Sequence, residues 1–501
     1  MIGIILNDKA FEQDIRELLM AFYPGESFCH EWQPGLRLAV IGEWNEERTQ
    51  LNLRLEAGEQ DEAADRVPDL PAAVAAEIAR IADPVCADPV CADPDSRTET
   101  KNRVKRRLYA MLVCRTGKLL PWGALTGIRP TKIALTRLDQ GMREDEIRAL
   151  MRDAYFASEK KAKLAVEIAA RERMLLSQLD YQNGYSLYTG IPFCPTTCLY
   201  CSFTSFPIEK WRGRIDQYLG ALFRELDYVA EKKRGCTLDT VYFGGGTPTT
   251  LKADELDRLL AKVRTAFDCS QLKEFTVEAG RPDSITMEKL AVLKKHGVTR
   301  ISINPQTMKQ ETLDLIGRRH TVEEVKNKFH LAREAGFDNI NMDLIVGLPE
   351  ETIDDVRATM EAVKALGPDS VTVHSLAIKR AARLNTSREL YKDLTITNTE
   401  EMIGLTAAYA RAMGMEPYYL YRQKNMAGNF ENVGYATPGK ACLYNILIME
   451  EQQTIIGCGA GTTTKRLHRE ENRVERAETV KNVEQYIDRV DEMIARKEAV
   501  L

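Results

Sequence analysis

Residues 185–203 read YSLYTGIPFCPTTCLYCSF. The first seven, rich in aromatic and β-branched side chains, predict a short strand. Three cysteines follow at once, Cys194, Cys198 and Cys201, spaced C-x3-C-x2-C. Five more runs of strand type come after them: DTVYFGG (239–245), EFTVEAG (274–280), TRISINP (299–305), NINMDLIVG (339–347) and DSVTVHSL (369–376). Helical periodicity fills the gaps, in DQYLGALFRELDYVAEKK, ADELDRLLAKVRTAF, TMEKLAVLKKHG, TVEEVKNKFHLAREAG and IDDVRATMEAVKALG. Six β-then-α units imply a parallel sheet with right-handed crossovers. No dinucleotide fingerprint accompanies the first unit, so the pattern predicts an α/β fold built on a partial (β/α)6 barrel. In such barrels the chemistry gathers at the C-terminal ends of the strands.

The cysteine loop lies at such an end. Structural zinc sites usually take four ligands, often as two separated pairs. Here three sulfurs share one loop. An iron–sulfur cubane can take three thiolates from such a loop and leave one iron open. The open iron can chelate the amino and carboxylate groups of S-adenosylmethionine (SAM) and pass an electron to its sulfonium. Cys194, Cys198 and Cys201 are therefore the expected ligands of a [4Fe–4S] cluster. The competing readings are three buried thiols, or a zinc site completed by a distant histidine.

Other polar residues fall at the same rim. Gly244-Gly245-Gly246-Thr247-Pro248 closes the second strand run, and consecutive glycines let a backbone approach a ligand. Glu278 ends the third, Gln306 follows the fourth and Asp343 sits in the fifth. A buried carboxylate without a partner is costly, so these residues are expected to face a ligand or an ion pair. Arg318 and Arg319 could pair with Asp343 or with a substrate carboxylate. His374 and His320 are each either a ligand, a proton donor or a structural residue.

The 501 residues point to more than one domain. Three segments are expected: an N-terminal accessory α+β module (1–175), the barrel (176–378) and a C-terminal mixed α/β cap over the substrate (379–501). In the first, RLAVIGEW and QLNLRLEA read as strands, and residues 142–178 as two helices. DPVCADPVCADPDS, with its tandem PVCAD, reads as a loop carrying Cys86 and Cys91. The basic run Lys101, Arg103, Lys105, Arg106 and Arg107 offers a helix face for RNA or, more simply, a solvated face.

A net charge of -5, with 44% hydrophobic and 29% charged residues, exerts no global pull toward nucleic acid or membrane. No run of eighteen apolar residues predicts a span. Eleven cysteines without an export signal argue for reduced thiols. A cytoplasmic location follows as an expectation.

Beyond these physical readings, IPFCPTTCLYCSF, FGGGTPTTL, EAGRPDSI, INPQTMKQETLDLIGRRHT and NMDLIVGLPEET resemble the radical SAM family of oxygen-independent coproporphyrinogen III dehydrogenases, with its HemN, HemZ and HemW-type branches. The resemblance covers about residues 186–465. The N-terminal PWGALTGIRPTKI is similar to the HemZ-type branch. The resemblance implies two SAM molecules. Tyr188, Gly245 and Glu278 match positions at the first. Tyr200, Gly246, Thr247, Gln306, Arg318, Asp343 and Ala377 match positions at the second. It also implies oxidative decarboxylation of two propionates of coproporphyrinogen III to vinyl groups, giving protoporphyrinogen IX. A monomer fed by flavodoxin or ferredoxin, with no membrane or nucleic-acid partner, is the implied setting. Arg318, Arg319, Lys379, Arg380 and Arg422 are candidate cations for a tetrapyrrole carboxylate. Two positions depart from the neighbouring branches. Phe203 stands where the dehydrogenase branch has a further cysteine. Tyr444-Asn445-Ile446-Leu447-Ile448-Met449 stands where the chaperone branch has a histidine-led haem motif. A haem-delivery protein, or a radical SAM enzyme acting on another tetrapyrrole or on RNA, are the alternatives.

Overall fold

The computed structural model describes residues 1–58, 70–80, 89–93, 95–127, 129–181, 183–377, 382–386, 393–423, 426–471 and 473–501. Its chain falls into two compact units, one of residues 1–170 with 422–430, the other of residues 171–421 with 431–501.

The first unit carries the strands β1 (Ile2–Leu6), β2 (Phe28–Cys29), β3 (Leu38–Trp44), β4 (Gln50–Ala57) and β5 (Val90–Cys91), in the sheet order β2-β1-β3-β4-β5. The helices are α1 (Glu12–Phe22), α2 (Ala72–Ile78), α3 (Arg97–Thr116), α4 (Thr131–Asp139), α5 (Glu144–Tyr155) and α6 (Glu159–Leu176), the last of which ends within the second unit's residues. β3 and β4 fall where alternation predicts them. The second copy of PVCAD is not all loop: Val90 and Cys91 pair with Leu51 and Gln50 of β4. The first copy, with Cys86, lies outside the described residues.

Helix α3 starts where the Ser96 hydroxyl accepts from the Glu99 amide (3.1 Å) and ends at Gly117, whose φ of 63° suits only a residue free of Cβ strain. Four cations of the basic run find partners inside the unit. Arg107 pairs with Glu77 at 2.7 Å, Arg103 with Asp93 at 3.2 Å and Arg106 with Glu99 at 3.3 Å. Lys105 Nζ donates to Thr126 Oγ1 at 2.7 Å, and burial pushes this amine down to about 8. A face whose charges are neutralised locally gives little of the counterion release on which RNA affinity depends.

The second unit is organised by β6 (Tyr185–Ile191). A two-residue ribbon follows, β7 (Phe193–Cys194) with β8 (Phe206–Pro207). Then come β9 (Leu238–Gly245), β10 (Glu274–Glu278), β11 (Arg300–Ser302), β12 (Ile340–Val346) and β13 (Ser370–Ser375). The intervening helices are α7 (Ile215–Lys232), α8 (Ala253–Ala266), α9 (Met287–Lys295), α10 (Gln310–Leu315), α11 (Val322–Glu334) and α12 (Ile353–Leu366). β6, β9, β10, β11, β12 and β13 pair in parallel in that order. This is the six-unit β/α arrangement expected from the alternation, as an open sheet.

The remaining elements are α13 (Arg383–Thr386), α14 (Glu400–Ala412), β14 (Glu416–Tyr421), β15 (Asn432–Ala436), α15 (Leu443–Met449), β16 (Thr454–Cys458), β17 (Thr463–His468), β18 (Arg473–Glu478), α16 (Val483–Asp488) and α17 (Val490–Glu498). Sequence reading expected these residues to form a cap over the mouth; the structure threads their strands into the sheet. β15 and then β14 continue it antiparallel beyond β13. β16 lies parallel to β6 at the other edge, followed by β17 and β18. Both edges of the parallel core thus find hydrogen-bond partners that exposed strands would lack.

Candidate active site: a three-thiol loop above a polar sheet face

The strand register determines which side chains share a face. Ser186, Thr240 and Glu274 stand side by side, as do Tyr188, Tyr242, Thr276 and Arg300. Glu278, Ser302, Asn341 and Ser370 form the next row, and Asp343 lies beside Thr372. The alternate residues Leu187, Val241, Phe275, Val277, Ile301, Met342, Val371 and Val373 are buried on the opposite face. The strands are therefore apolar on one face and polar or phenolic on the other, an arrangement stable only where the polar groups find partners. Many do. Thr240 Oγ1 donates to Ser186 Oγ (2.7 Å), Ser370 Oγ to Asn341 Oδ1 (3.1 Å) and Thr372 Oγ1 to the same oxygen (3.2 Å).

The cysteine loop leaves the C-terminal end of β6, as expected. It is tied to the turn after α10: Leu199 N donates to Ile316 O (2.9 Å) and Thr196 Oγ1 to Gly317 O (3.2 Å). Cys194 Sγ lies 3.5 Å from Thr247 Oγ1, and burial raises its thiol to about 11. Two buried guanidinium groups reach Cys198 Sγ, Arg281 Nη1 at 3.7 Å and Arg318 Nη1 at 4.0 Å. The donor set suits a cubane. Three thiols share one loop, with N–H donors ready for the negative charge that thiolate ligation brings. Among the described residues no three cysteine, histidine or acidic side chains converge on a point that would hold a single metal ion. A cubane takes each thiolate on a different iron and so does not require that convergence.

The glycines after β9 have separate reasons. Gly245 has φ 105°, a conformation costly for any other residue. A Cβ on Gly246 would fall 2.5 Å from Phe193 O, because Gly246 N and Thr247 N donate to Ile191 O and Phe193 O at 2.8 and 2.7 Å. Close backbone packing against the loop strand therefore accounts for Gly246 whether or not a ligand approaches it.

Glu278 accepts from Tyr242 OH at 2.7 Å. Burial raises its carboxyl to about 7, with Asp343 pushing the same way while Tyr242 and Arg300 oppose. Tyr242 stacks on Tyr444 (4.5 Å between centroids, 24°), and Tyr188 lies 6.0 Å from both, all three rings nearly parallel. Tyr444 arrives on α15, whose first turn is anchored on the polar face: Leu443 N donates to Glu274 Oε2 (2.6 Å) and Cys442 Sγ to Glu274 Oε1 (3.3 Å). Sequence reading singled out Tyr188 but missed Tyr242 as well as the stacking role of Tyr444. The polar and aromatic positions at every second residue of β9 were the available signal for Tyr242.

At the far end of the sheet, Gln306 takes φ 70° and bridges to Leu344, with its buried Oε1 unpartnered among the described residues. An orphan acceptor on a strained residue is the kind of group a ligand satisfies. Of the two partners considered for Arg318, Asp343 or a substrate carboxylate, Asp343 is not the one it meets. Arg318 donates through Nη2 to Gly280 O (2.9 Å) and Asn304 O (2.5 Å), and through Nη1 to Tyr200 OH (3.2 Å). Asp343 instead accepts from Asn341 Nδ2 (2.7 Å) and lies 3.8 Å from His374 Nε2, whose Nδ1 is 3.3 Å from Tyr421 OH. Ala377 follows β13 at the same end, half-buried. Arg319 is exposed. His320 is fully buried and lacks partners for both ring nitrogens among the described residues; burial, aided by Arg318 and Arg281, lowers it to about 3, so it is neutral. Arg422 turns its guanidinium to Leu125 O (2.6 Å) and Asn429 Oδ1 (2.5 Å) inside the first unit and is not spare for a substrate. Lys379 and Arg380 lie outside the described residues. Among the described residues no helix is long and apolar enough to cross a membrane.

Comparison with known proteins places this geometry. Residues 188–363 match the radical SAM superfamily. The oxygen-independent coproporphyrinogen-III oxidase-like protein HemZ of Bacillus subtilis is 42% identical over 397 residues, covering 78% of this chain and 79% of that protein. The heme chaperone HemW of the same organism is 38% identical over 195 residues, 39% of this chain and 51% of its own length. Among solved structures, the coproporphyrinogen III oxidase HemN of Escherichia coli, a radical SAM enzyme, superposes with a TM-score of 0.51 at 24% identity, over 64% of this chain and 73% of that one, and so shares the fold. A [4Fe–4S] cluster and SAM are the cofactors this superfamily implies. By its thiol loop, its sheet and these kinships, the chain belongs to the HemN/HemW-like family of radical SAM proteins related to tetrapyrrole metabolism, beside HemZ.

Proposed function

We propose that this chain catalyses the oxygen-independent oxidative decarboxylation of coproporphyrinogen III to protoporphyrinogen IX. What carries the reading is the placement of a three-thiol loop at the C-terminal end of β6, above a polar and tyrosine-lined sheet face, in a chain whose relatives are named for coproporphyrinogen and heme. When bound, the cluster and SAM would supply a 5′-deoxyadenosyl radical able to take a hydrogen atom from a propionate β-carbon, with CO2 and one electron then lost.

The residues have distinct tasks in this proposal. Cys194, Cys198 and Cys201 hold the cluster. Tyr188, Gly245 and Glu278 face a first SAM. Tyr200, Gly246, Thr247, Gln306, Arg318, Asp343 and Ala377 face a second, with the unpartnered Gln306 Oε1 ready to accept a donor there. Exposed Arg319 is a cation for a propionate. Residues 379–501 serve to cover the substrate, residues 1–175 are an accessory module, and a flavodoxin or ferredoxin supplies electrons.

One finding favours a second reading. Phe203 is 69% exposed where the dehydrogenase branch carries its extra cysteine, as in the chaperone branch, and a haem-delivery protein would retain the cluster without decarboxylating. Anaerobic incubation of reconstituted protein with reductant, SAM and coproporphyrinogen III separates the two. Mass spectrometry is expected to show two successive losses of a propionate carboxyl group. SAM cleavage beside an unchanged tetrapyrrole, with stoichiometric haem binding, would favour delivery instead.

Glu278 gives this site a pH dependence. As pH rises through about 7 its carboxyl ionises, so affinity for the ammonium of a methionyl group is expected to rise over the same range. Glu278→Gln should flatten that profile in SAM-binding calorimetry. The folded chain holds this proton more tightly than the unfolded one does. Its contribution to stability is therefore fully present below the ordinary carboxylate range and is lost as pH climbs through about 7.

A further inference from the structure

The sequence EAGRPDSI places an arginine, Arg281, three residues beyond Glu278. Arg281 is 3% exposed. Its Nε and Nη2 grip Asp283 bidentately, donating to Oδ1 at 3.0 Å and Oδ2 at 2.8 Å. The fork this creates leaves Nη1 pointing at the cysteine loop, donating to Thr196 Oγ1 at 3.1 Å and reaching Cys198 Sγ at 3.7 Å. Arg318 Nη1 lies 4.0 Å from the same sulfur, but its guanidinium is also committed to two carbonyls and the Tyr200 phenol. Removing a guanidinium from water is expensive, and one carboxylate offsets only part of that cost. A negative group in front of Nη1 offsets more of it, and a thiolate carrying cluster charge is such a group.

We propose that Arg281 and Asp283 form a built-in potentiometer for the cluster: the arginine donates to the Cys198 thiolate and raises the reduction potential, while the aspartate holds it in place and moderates its charge. The inference rests on the cluster reading of Cys194, Cys198 and Cys201. N–H donors and positive charge beside a cluster sulfur stabilise the more negative, one-electron-reduced state. Because the potential decides whether a biological donor can reduce the cluster, Arg281 is a positioning residue that acts through Cys198 and touches no substrate.

The sign of the effect separates this role from simple structural support. Arg281→Gln removes the charge and should lower the midpoint potential. Asp283→Asn keeps the guanidinium but removes its counter-charge, and should raise it. Arg281→Lys should lie between Arg281→Gln and wild type. Each variant is reconstituted anaerobically as the full chain, assayed for iron and sulfide, and titrated with dithionite while the reduced cluster is followed by EPR. The expected change is about tenfold or more in the reduced-to-oxidised ratio at a fixed poise, equal to about 59 mV for a one-electron couple. Potentials within error of wild type in both Arg281→Gln and Asp283→Asn, or shifted in the same direction, would overturn the proposal while leaving the cluster itself standing. A wild-type chain with no cubane signal would instead remove the cluster reading on which it rests. If Arg281→Gln fails to take up a cluster, the Asp283→Asn and Arg281→Lys titrations still decide the sign.

Discussion

Cys198→Ala is expected to abolish cluster assembly, with reductive SAM cleavage falling to background. The cubane needs three protein thiolates, and the loop offers no fourth cysteine to substitute, Phe203 standing two residues beyond Cys201. The loss should also exceed that of one ligand. Cys198 Sγ is the acceptor toward which Arg281 and Arg318 both point, so alanine would leave two buried guanidinium groups facing an apolar methyl. Iron and sulfide content, the charge-transfer absorbance of the reconstituted protein and 5′-deoxyadenosine yield are the measurements. Cys442→Ala is the control: this thiol is fully buried but bonded to Glu274, and its removal should leave cluster content at the wild-type level. Cluster content and SAM cleavage at wild-type levels in Cys198→Ala would refute the ligand assignment.

The second large effect concerns stability. Lys497 on α17 and Glu225 on α7 form an ion pair whose side chains are 1% and 0% exposed. The other Glu225 oxygen accepts from Gly459 N at 2.7 Å and from Tyr486 OH at 2.5 Å. One carboxylate thus joins α7, the turn after β16, α16 and α17. Lys497→Met leaves it buried without its counter-ion, which typically costs ~3–5 kcal/mol. Urea unfolding followed by tryptophan fluorescence should show that loss as a lower midpoint. Glu225→Gln with Lys497→Met should recover part of it, because a neutral amide can still accept from Gly459 and Tyr486. A single variant as stable as wild type would mean that the pair contributes nothing.

The barrel was legible because its strands follow a simple period. β6 runs over the seven residues expected, and the other five cores agree to within one or two residues at most ends. The fourth is the exception: TRISINP reads as seven residues, but the regular strand stops at Ser302, and after one further bond from Ile303 N to Asn341 O the next bridge comes at Gln306, where φ turns positive. No local pattern announces that turn. The three-cysteine loop itself was legible from its spacing, and the structure sets it at the C-terminal end of β6 as that reading expected. Partners brought together from distant parts of the chain were not. Arg281 meets Cys198 across 83 residues, and Glu274 meets Leu443 across 169. Charge alone offered Arg318 either Asp343 or a substrate carboxylate as a partner; the structure engages it with carbonyls and a phenol that composition cannot reveal. The strands β14 to β18 were likewise hidden as parts of the main sheet, since an edge strand's register depends on a partner far away in sequence.

That distribution of edges has a consequence for how the molecule is made. β6, which presents the cysteine loop, leaves the ribosome about 270 residues before β16, its partner on the outer side. At typical synthesis rates this interval lasts on the order of 10 s or more. Throughout it the nascent chain carries three oxidisable thiols beside a strand whose outer edge is unpaired. Metal loading before the edge is closed, or a chaperone guarding that edge, would shelter both, and a message truncated ahead of codon 454 should yield aggregated and readily oxidised protein.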